Sequence, residues 1–304
     1  MPDLNWDDIV HLSKENEKLI VNFLSALDEL HTINQFYHIY IFNFYQIFYH
    51  FELDTNDNIR KQNGLNGDEF IIINSLLINL MSSSKTLVDL LIHFDKKYSQ
   101  KLEKTINKIY DSELSYILIM TLRNFALHGH IPLSFSQNKY SFNLDYILKE
   151  GEKFNFSKSS KEAFIRIRDE IRHVYGDIAN IAFTKILMDF HLNLLKIHYH
   201  FYLENQSLLE SFFKSVELKL QKEKRKIKNG QLIIEIDGER HGIIMSSKIA
   251  LLNKLMQEAK INFYDFKKQK SKSRRDKKLK DNSKLESKNE RYYQLKKRSG
   301  NDLA

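Results

Sequence analysis

Cysteine is absent from this chain of 304 residues, and proline and glycine are scarce, with 2 and 9 residues. Without cysteine there are no disulfides, no thiolate nucleophiles and no Cys-ligated zinc or iron–sulfur sites, which fits a reducing compartment. Scarce Gly and Pro argue against β-sandwiches, β-barrels and doubly wound α/β folds, because those folds need frequent turns. Since 42% of the residues are apolar, the chain can bury a core, and we expect a globular, all-α protein.

Targeting and membrane-spanning signals are also missing. Residues 1–8 are acidic and lack the basic and apolar regions of a signal peptide. The most apolar run, Phe70 to Met81, is shorter than the roughly 20 residues that a transmembrane helix needs. We therefore interpret this run as a core helix, and we expect a cytoplasmic protein with no membrane partner.

The net charge of +8 is concentrated in one segment. Residues 267–298 hold 15 Lys or Arg against 4 Asp or Glu, whereas the rest of the chain holds 32 basic and 35 acidic residues. The basic character therefore belongs to a tail, which is either disordered or a solvated helix. Its basic clusters at Arg274, Arg275, Lys277 and Lys278 are candidates for non-specific RNA binding.

Apolar residues at helical spacing predict the main elements. We expect one long helix, or two stacked end to end, over Glu15–Phe51, a polar loop over 52–69, and a second helix over Glu69–Phe94. A third helix is predicted from Leu102 to His128, where Gly129 and Pro132 end it. Residues 131–156 alternate polar and apolar side chains, which is compatible with extended segments, and a fourth helix follows over Ser160–Glu204.

The C-terminal third contains the only clear β signal. An alternating segment at 232–236 is followed by Asp237-Gly238, which predicts a hairpin near 232–244, and a short helix is expected over Ser246–Lys260. We predict a helical domain over 1–205, a helical extension with the hairpin over 206–266, and a basic, flexible tail over 267–304.

One segment has a chemically suggestive pattern: positions 123–132 read RNFALHGHIP, at the end of an apolar helix. Arg123 is followed by a polar residue, Asn124, and then by His128. This arrangement resembles the motif of the HEPN superfamily, in which Arg, a polar residue and, after four to six positions, His occur near the end of the third helix. The resemblance covers roughly residues 12–204 and implies an up-and-down helical bundle.

The resemblance also implies an activity, which is RNA cleavage without a metal or other cofactor. In such enzymes a base takes the proton of a ribose 2'-hydroxyl, the oxygen attacks the adjacent phosphorus, and a 2',3'-cyclic phosphate forms. Arg123 and His128 would be catalytic, Asn124 would orient the histidine or bind phosphate, and two subunits would build one RNA cleft. A toxin or antiviral-defence role, with an antitoxin or defence-system partner, is a further implication.

The residue types suit that chemistry. His acts as acid or base near neutral pH, and Arg is a permanent cation that can hold charge growing on phosphate oxygens. On an ideal helix Arg123 and His128 lie about 140° apart, so the long Arg side chain or fraying of the last turn must close the gap. A His at a helix C-terminus feels the negative end of the dipole, which favours a general-acid role. Lys85, with Ser84 and Asp89, lies on the predicted second helix and is a candidate neighbour of the motif residues.

Two alternatives for the site stay open. His130 also fits the Arg-to-His spacing and stands where HEPN proteins that pair with a nucleotidyltransferase often have Tyr, so it could replace or assist His128. A second match, Arg168 with Asp169 and His173, sits inside a long helical pattern. A solvated charged face explains that second match, so we prefer the first.

The other histidines do not predict a metal site. They show no pair at i, i+4 with a nearby acid, and His198 and His200 point apart on a helix. We therefore expect core or rim histidines and no metal. The main hypothesis is a metal-independent endoribonuclease, and the alternative is a non-catalytic helical module that binds RNA or protein, with the motif structural.

Overall fold

The computed structural model describes residues 14–53, 69–127, 131–136, 139–153, 158–175, 180–222, 231–236, 239–244, 251 and 253–272. Helices dominate these residues, so the fold is all-α, as predicted. Within these ranges several side chains, including that of Asn124, are not described. The predicted polar loop is almost entirely outside the described residues.

Four helices build the main bundle. They are α1 (Lys14–Leu53), α2 (Glu69–Tyr98), α4 (Leu114–Leu127) and α7 (Phe183–Lys222). The first two agree with the predicted helices because long runs of apolar residues at helical spacing define them. The described part of α4 reaches Leu127, and Ile131 is no longer helical, so the predicted end at His128 itself lies outside the described residues.

Side-chain contacts show that α1 and α2 are antiparallel, and they also connect α4 with α7. On α1 and α2, Asn43 Nδ2 donates to Ser83 Oγ over 3.0 Å, and nearer the other end Lys97 Nζ lies 2.5 Å from Glu29 Oε1. On α4 and α7, Asn193 Nδ2 donates to Ser115 Oγ over 3.2 Å. Because α1 and α4 both pack against α2 and α7, the two lie diagonally across the bundle.

The predicted third helix over 102–128 is wrong as a single element. The chain forms α3 (Leu102–Ser112) and α4, which are separated by Glu113 with φ −112° and ψ 96°. The backbone N–H of Glu113 still donates to the carbonyl oxygen of Ile109, over 2.9 Å, which closes the last turn of α3. Neither Gly nor Pro, the strongest breaker residues, marks this break.

The predicted fourth helix over 160–204 is also wrong as a single element. It comprises α6 (Lys158–Tyr175), strand β3 (Asn180–Ala182) and the first half of α7. Strand β3 pairs antiparallel with β2 (Lys139–Asn143), which pairs with β1 (Ser134–Ser136). A short helix, α5 (Leu144–Lys153), follows β2. Residues 131–156 thus contain extended segments, as their pattern allowed, and also this helix.

The C-terminal third contains the predicted hairpin. Strands β4 (Gln231–Ile236) and β5 (Glu239–Ile244) pair antiparallel, with Ile236 opposite Glu239. Helix α8 covers residues 253–272 and extends beyond the predicted end at Lys260. The chain divides into two compact units, Met1–Ala259 and Lys260–Ala304. The predicted boundaries at 205 and 266 stay predictions.

The length and composition of helix α2 are compatible with both a membrane span and a buried core helix. By length and composition its residues 70–98 could cross a membrane, but half of their most apolar window is buried inside the protein. The core helix of a globular protein passes the same test. Leu77, Leu80, Leu87 and Leu91 are fully buried, as expected for a helix that packs at the centre of the bundle.

Candidate functional site

Two interactions link α2 with α4, which carries the motif arginine, and with the segment that follows the motif. Burial, and then the nearby Asp89 carboxylate on α2, raise the pKa of Tyr116 on α4 above its ordinary value. Past the end of α4, the backbone N–H of Leu133 donates to Asn74 Oδ1 on α2 over 3.1 Å. These interactions place both the first turn of α4 and the residues that follow the motif beside α2.

Arg123 lies on the partly exposed stripe of α4, together with Met120 and Ala126. Its Nε atom is buried and has no hydrogen-bond partner among the described residues. A buried donor without an acceptor costs about 1–3 kcal/mol, and more when the group is charged. A bound anion would supply that acceptor, and the planar guanidinium matches the geometry of both phosphate and carboxylate.

The structure describes only part of the other motif residues. The backbone of Asn124 belongs to α4, but its side chain lies outside the described part of the chain, as do His128 and His130. Pro132 and Leu133 directly after them are buried. The chain that carries the two histidines is therefore held at both ends, by α4 on one side and by the Leu133 bond to Asn74 on the other.

Asn74 is the one site-supporting residue that the sequence did not single out. It is 4% exposed, and besides accepting from Leu133 its amide donates to the carbonyl oxygen of Phe70 over 2.9 Å. The available signal was an amide inside the most apolar run of the chain. A buried amide there needs partners, and one of them is the backbone that follows the motif.

The candidate residues on α2 separate into two groups. Lys85 and Asp89 are partly exposed and form an ion pair with each other. Ser84, by contrast, is fully buried and its hydroxyl donates to the carbonyl oxygen of Met81 over 2.9 Å. Of these candidates Lys85 is the partly exposed cation, and an anion that bound it would compete with Asp89. Arg274, Arg275, Lys277 and Lys278 lie outside the described residues.

The second motif match has the features of a charged solvent face. Arg168 Nε donates to Asp169 Oδ1 over 3.1 Å, and Nη1 of the same guanidinium lies 3.9 Å from Asp145 Oδ1. Arg166 lies 3.8 Å from Glu170, and His173 is exposed. Because two carboxylates already neutralise Arg168, it is a poorer anion ligand than Arg123.

The histidines of α7 belong to the core and the rim. His191 stacks on Phe44 with ring centroids 3.6 Å apart, and its Nδ1 lies 2.7 Å from the hydroxyl of Tyr40. His198 stacks on Tyr37 at 3.9 Å. Burial lowers the pKa of each ring to about 3. Both interpretations from sequence are thus confirmed: these are core residues, and His198 points away from His200, which lies 3.6 Å from Glu204 at the rim.

Other features of the described residues give no competing site. No group of three His, Asp or Glu side chains is placed to hold a metal ion in this part of the chain. A groove of about 510 Å³ lies between α1 and α2, lined by residues that include Val21, Asp28, Glu29, Leu90 and His93, and it shares no residue with the motif. In comparisons with known proteins, no family model matches the chain, and no curated protein or solved structure is significantly similar to it.

Proposed function

We propose that this chain is a metal-independent endoribonuclease with its active site at the C-terminal end of α4. The observation that carries the proposal is Arg123, a cation in the last turns of α4 whose buried Nε has no acceptor among the residues that the structure describes. The predicted histidines follow α4 directly in the sequence. The second match supports it by contrast, because Arg168 is already paired with carboxylates. The resemblance of the motif to HEPN nucleases supplies the reaction.

In the proposed reaction Arg123 holds a non-bridging phosphate oxygen and stabilises the charge that grows on it. A motif histidine takes the proton of the 2'-hydroxyl, and the 2'-oxygen then bonds to phosphorus. The bond from phosphorus to the 5'-oxygen breaks, and a protonated histidine, for which His128 at the helix end is suited, gives its proton to the leaving oxygen. The products are a 2',3'-cyclic phosphate and a 5'-hydroxyl.

The remaining parts of the proposal concern binding and context. Asn124 supports the histidine or the phosphate, Lys85 contacts the RNA backbone, and the tail adds non-specific, salt-dependent affinity. Two copies facing each other would combine two motifs, as in the proteins that the motif resembles. The cellular role we propose is a cytoplasmic toxin or antiviral-defence effector, which acts by cutting RNA.

The test is incubation of the purified chain with total RNA and with tRNA in excess EDTA, followed by gel and 3'-end analysis. We expect discrete fragments with cyclic-phosphate ends from the unmodified chain and none from the His128→Ala variant. A His130→Ala variant decides between the two histidines. Intact RNA in all lanes, with the helical circular dichroism signal unchanged, would count against the enzyme.

A binding module is the second candidate, and the described part of the basic segment favours it. Lys267, Lys268 and Lys272 are exposed on α8. This alternative predicts RNA binding without cleavage. We then expect weaker RNA binding by the full chain in which Arg274, Arg275, Lys277 and Lys278 are all changed to Gln. The affinity of this variant should also depend less steeply on salt concentration than that of the unmodified chain.

A further inference from the structure

Helix α8 has one face that is buried and another that is exposed. Its buried side chains recur every three or four residues and form one stripe along the helix: Leu255, Ala259, Phe263 and Phe266. None of the four is more than 9% exposed. Tyr264 lies outside this stripe and is 47% exposed. The apolar stripe is therefore already covered, and the exposed face of α8 is accessible to other molecules.

The exposed face combines an aromatic ring with lysines. Lys260 stands four residues before Tyr264 at an exposed position. The exposed Lys267 and Lys268 follow the ring at three and four residues. Residues three or four apart are neighbours on a helix surface, so lysines lie on both sides of the ring along the helix. We call Tyr264, these three lysines and Ile261, which is 48% exposed, the tyrosine–lysine strip.

Positive charge dominates this part of the helix. Residues 260–272 contain five Lys, and their one acidic residue is Asp265. Farther back, Lys254 Nζ lies 3.7 Å from Glu258 Oε1, so that lysine is neutralised. Among the described residues, the three lysines of the strip form no ion pair of this kind. A surface with such an excess of positive charge suits a polyanion.

The ring of Tyr264 rests on a buried neighbour. It meets Phe263 edge to face, with ring centroids 5.1 Å apart and an angle of 64° between the planes. Lys267 Nζ lies 5.7 Å from the centroid of the same Phe263 ring. Both side chains therefore have a packed support within the helix. A side chain that is held in this way loses less conformational freedom when a ligand binds.

We propose that the tyrosine–lysine strip binds single-stranded nucleic acid, with a base stacked on Tyr264 and backbone phosphates at the lysines. Every base has a π-face that can stack on an aromatic ring, and a phosphate backbone requires cations along its path. A membrane-surface helix would instead insert its apolar face, but that of α8 is buried. An acidic protein would pair with the lysines without needing an exposed ring between them, so the ring favours nucleic acid.

This inference deepens the proposed binding of RNA and rests on it, but it does not require cleavage. It assigns nucleic-acid contacts to α8 itself, before the basic cluster at 274–278 in the sequence. Neither stacking nor phosphate contact uses the 2'-hydroxyl, which is the group that distinguishes RNA from DNA. A DNA strand should therefore bind the strip as RNA does, and it lacks the hydroxyl that the proposed cleavage needs.

The test is fluorescence anisotropy of the full chain with a labelled oligothymidine of about 12 nucleotides, at several salt concentrations. Tyr264→Ala should weaken binding at least about fivefold, the cost of one lost stack, whereas Tyr264→Phe keeps the ring and should bind like the unmodified chain. The matched control is Tyr146→Ala on α5, because Tyr146 is 50% exposed but lies outside the strip, and its affinity should not change.

The lysines should have a different signature. Changing Lys260 and Lys268 together to Gln should reduce the slope of log affinity against log salt by about 1.4, since each phosphate contact contributes about 0.7. Tyr264→Ala should leave that slope unchanged, because stacking releases no counterions.

An unmodified chain that does not bind the oligomer would overturn the proposal, as would Tyr264→Ala that binds as tightly as Tyr146→Ala. A loss of affinity in the lysine variant alone would assign the strip to polyanions in general and overturn the stacking role of Tyr264. Because the oligomer cannot be cleaved by 2'-hydroxyl attack, failure of this binding leaves the Arg123 proposal standing. Normal binding by a chain that fails to cut RNA would leave only the present inference standing.

Discussion

The two buried histidines of α7 make the fold sensitive to acid. His191 and His198 are 1% and 2% exposed, and burial lowers the pKa of each ring to about 3. Unfolding returns each ring to water, where its pKa is about 6.5. Because the folded value is the lower one, the stability is fully present above pH 6.5 and is lost as the pH falls toward 3.

The size of the effect follows from linkage. Between pH 8 and pH 5 each histidine should reduce the free energy of unfolding by about 2 kcal/mol, and the pair therefore by about 4 kcal/mol. Asp and Glu contribute little over this interval because most of them stay ionised in both states. For a fold with an ordinary stability of about 5–15 kcal/mol, this is a large fraction of the total.

The assay is urea unfolding followed by the helical circular dichroism signal at pH 8, 7, 6 and 5. His198→Phe keeps a ring stacked on Tyr37 and removes two buried ring nitrogens that have no partner among the described residues, so it should halve the loss to about 2 kcal/mol. His93→Gln, at an exposed position, serves as the control and should leave the loss unchanged. A total loss below about 1 kcal/mol, or an identical loss in His198→Phe, would refute the reasoning.

Two further predictions concern local structure. Gln100 is exposed and has φ 59°, a left-handed conformation that costs an ordinary residue about 1–2 kcal/mol, so Gln100→Gly should stabilise the fold by about 0.5–1 kcal/mol in urea unfolding. Gln35→Gly, in the middle of α1, should destabilise it by about 1 kcal/mol, and equal effects at both sites would contradict the backbone argument. Asn74→Ala leaves the buried N–H of Leu133 without its acceptor and should cost about 1–3 kcal/mol, whereas Asn79→Ala, on the exposed side of α2, should cost less than 0.5. If Asn74→Ala proves as mild as Asn79→Ala, the Leu133 bond does not hold the segment after the motif.

Local sequence patterns predicted the elements that local interactions decide. Helices α1 and α2 follow from apolar spacing, and the β4–β5 hairpin follows from an alternating strand before Asp237-Gly238. The break at Glu113 and the strand β3 did not follow. In the first case no residue type marks the break, and in the second the pairing of Ala182 with Ser141 joins residues far apart in the sequence.

The candidate site could also be predicted only in part from the sequence. The choice of Arg123 over Arg168 came from where their helices end, and for the second match that reason is wrong, because α6 ends at Tyr175, two residues after His173. The contacts favour Arg123 for a different reason, since Arg168 is paired with Asp145 and Asp169. Neither the buried Nε of Arg123 nor the support from Asn74 could be predicted. Both depend on tertiary packing around α4 and the segment after it, which a one-dimensional pattern does not specify.

The central claim is that Arg123, and not Arg168, is the cation that holds the scissile phosphate. Its most direct test is the RNA-cleavage rate in excess EDTA for Arg123→Gln and Arg168→Gln, with circular dichroism confirming that both variants fold. We expect Arg123→Gln to slow cleavage at least about 100-fold, the usual cost of removing one donor that stabilises transition-state charge, and Arg168→Gln to leave the rate unchanged. Unchanged cleavage by Arg123→Gln, or an equal loss in Arg168→Gln, would contradict the account.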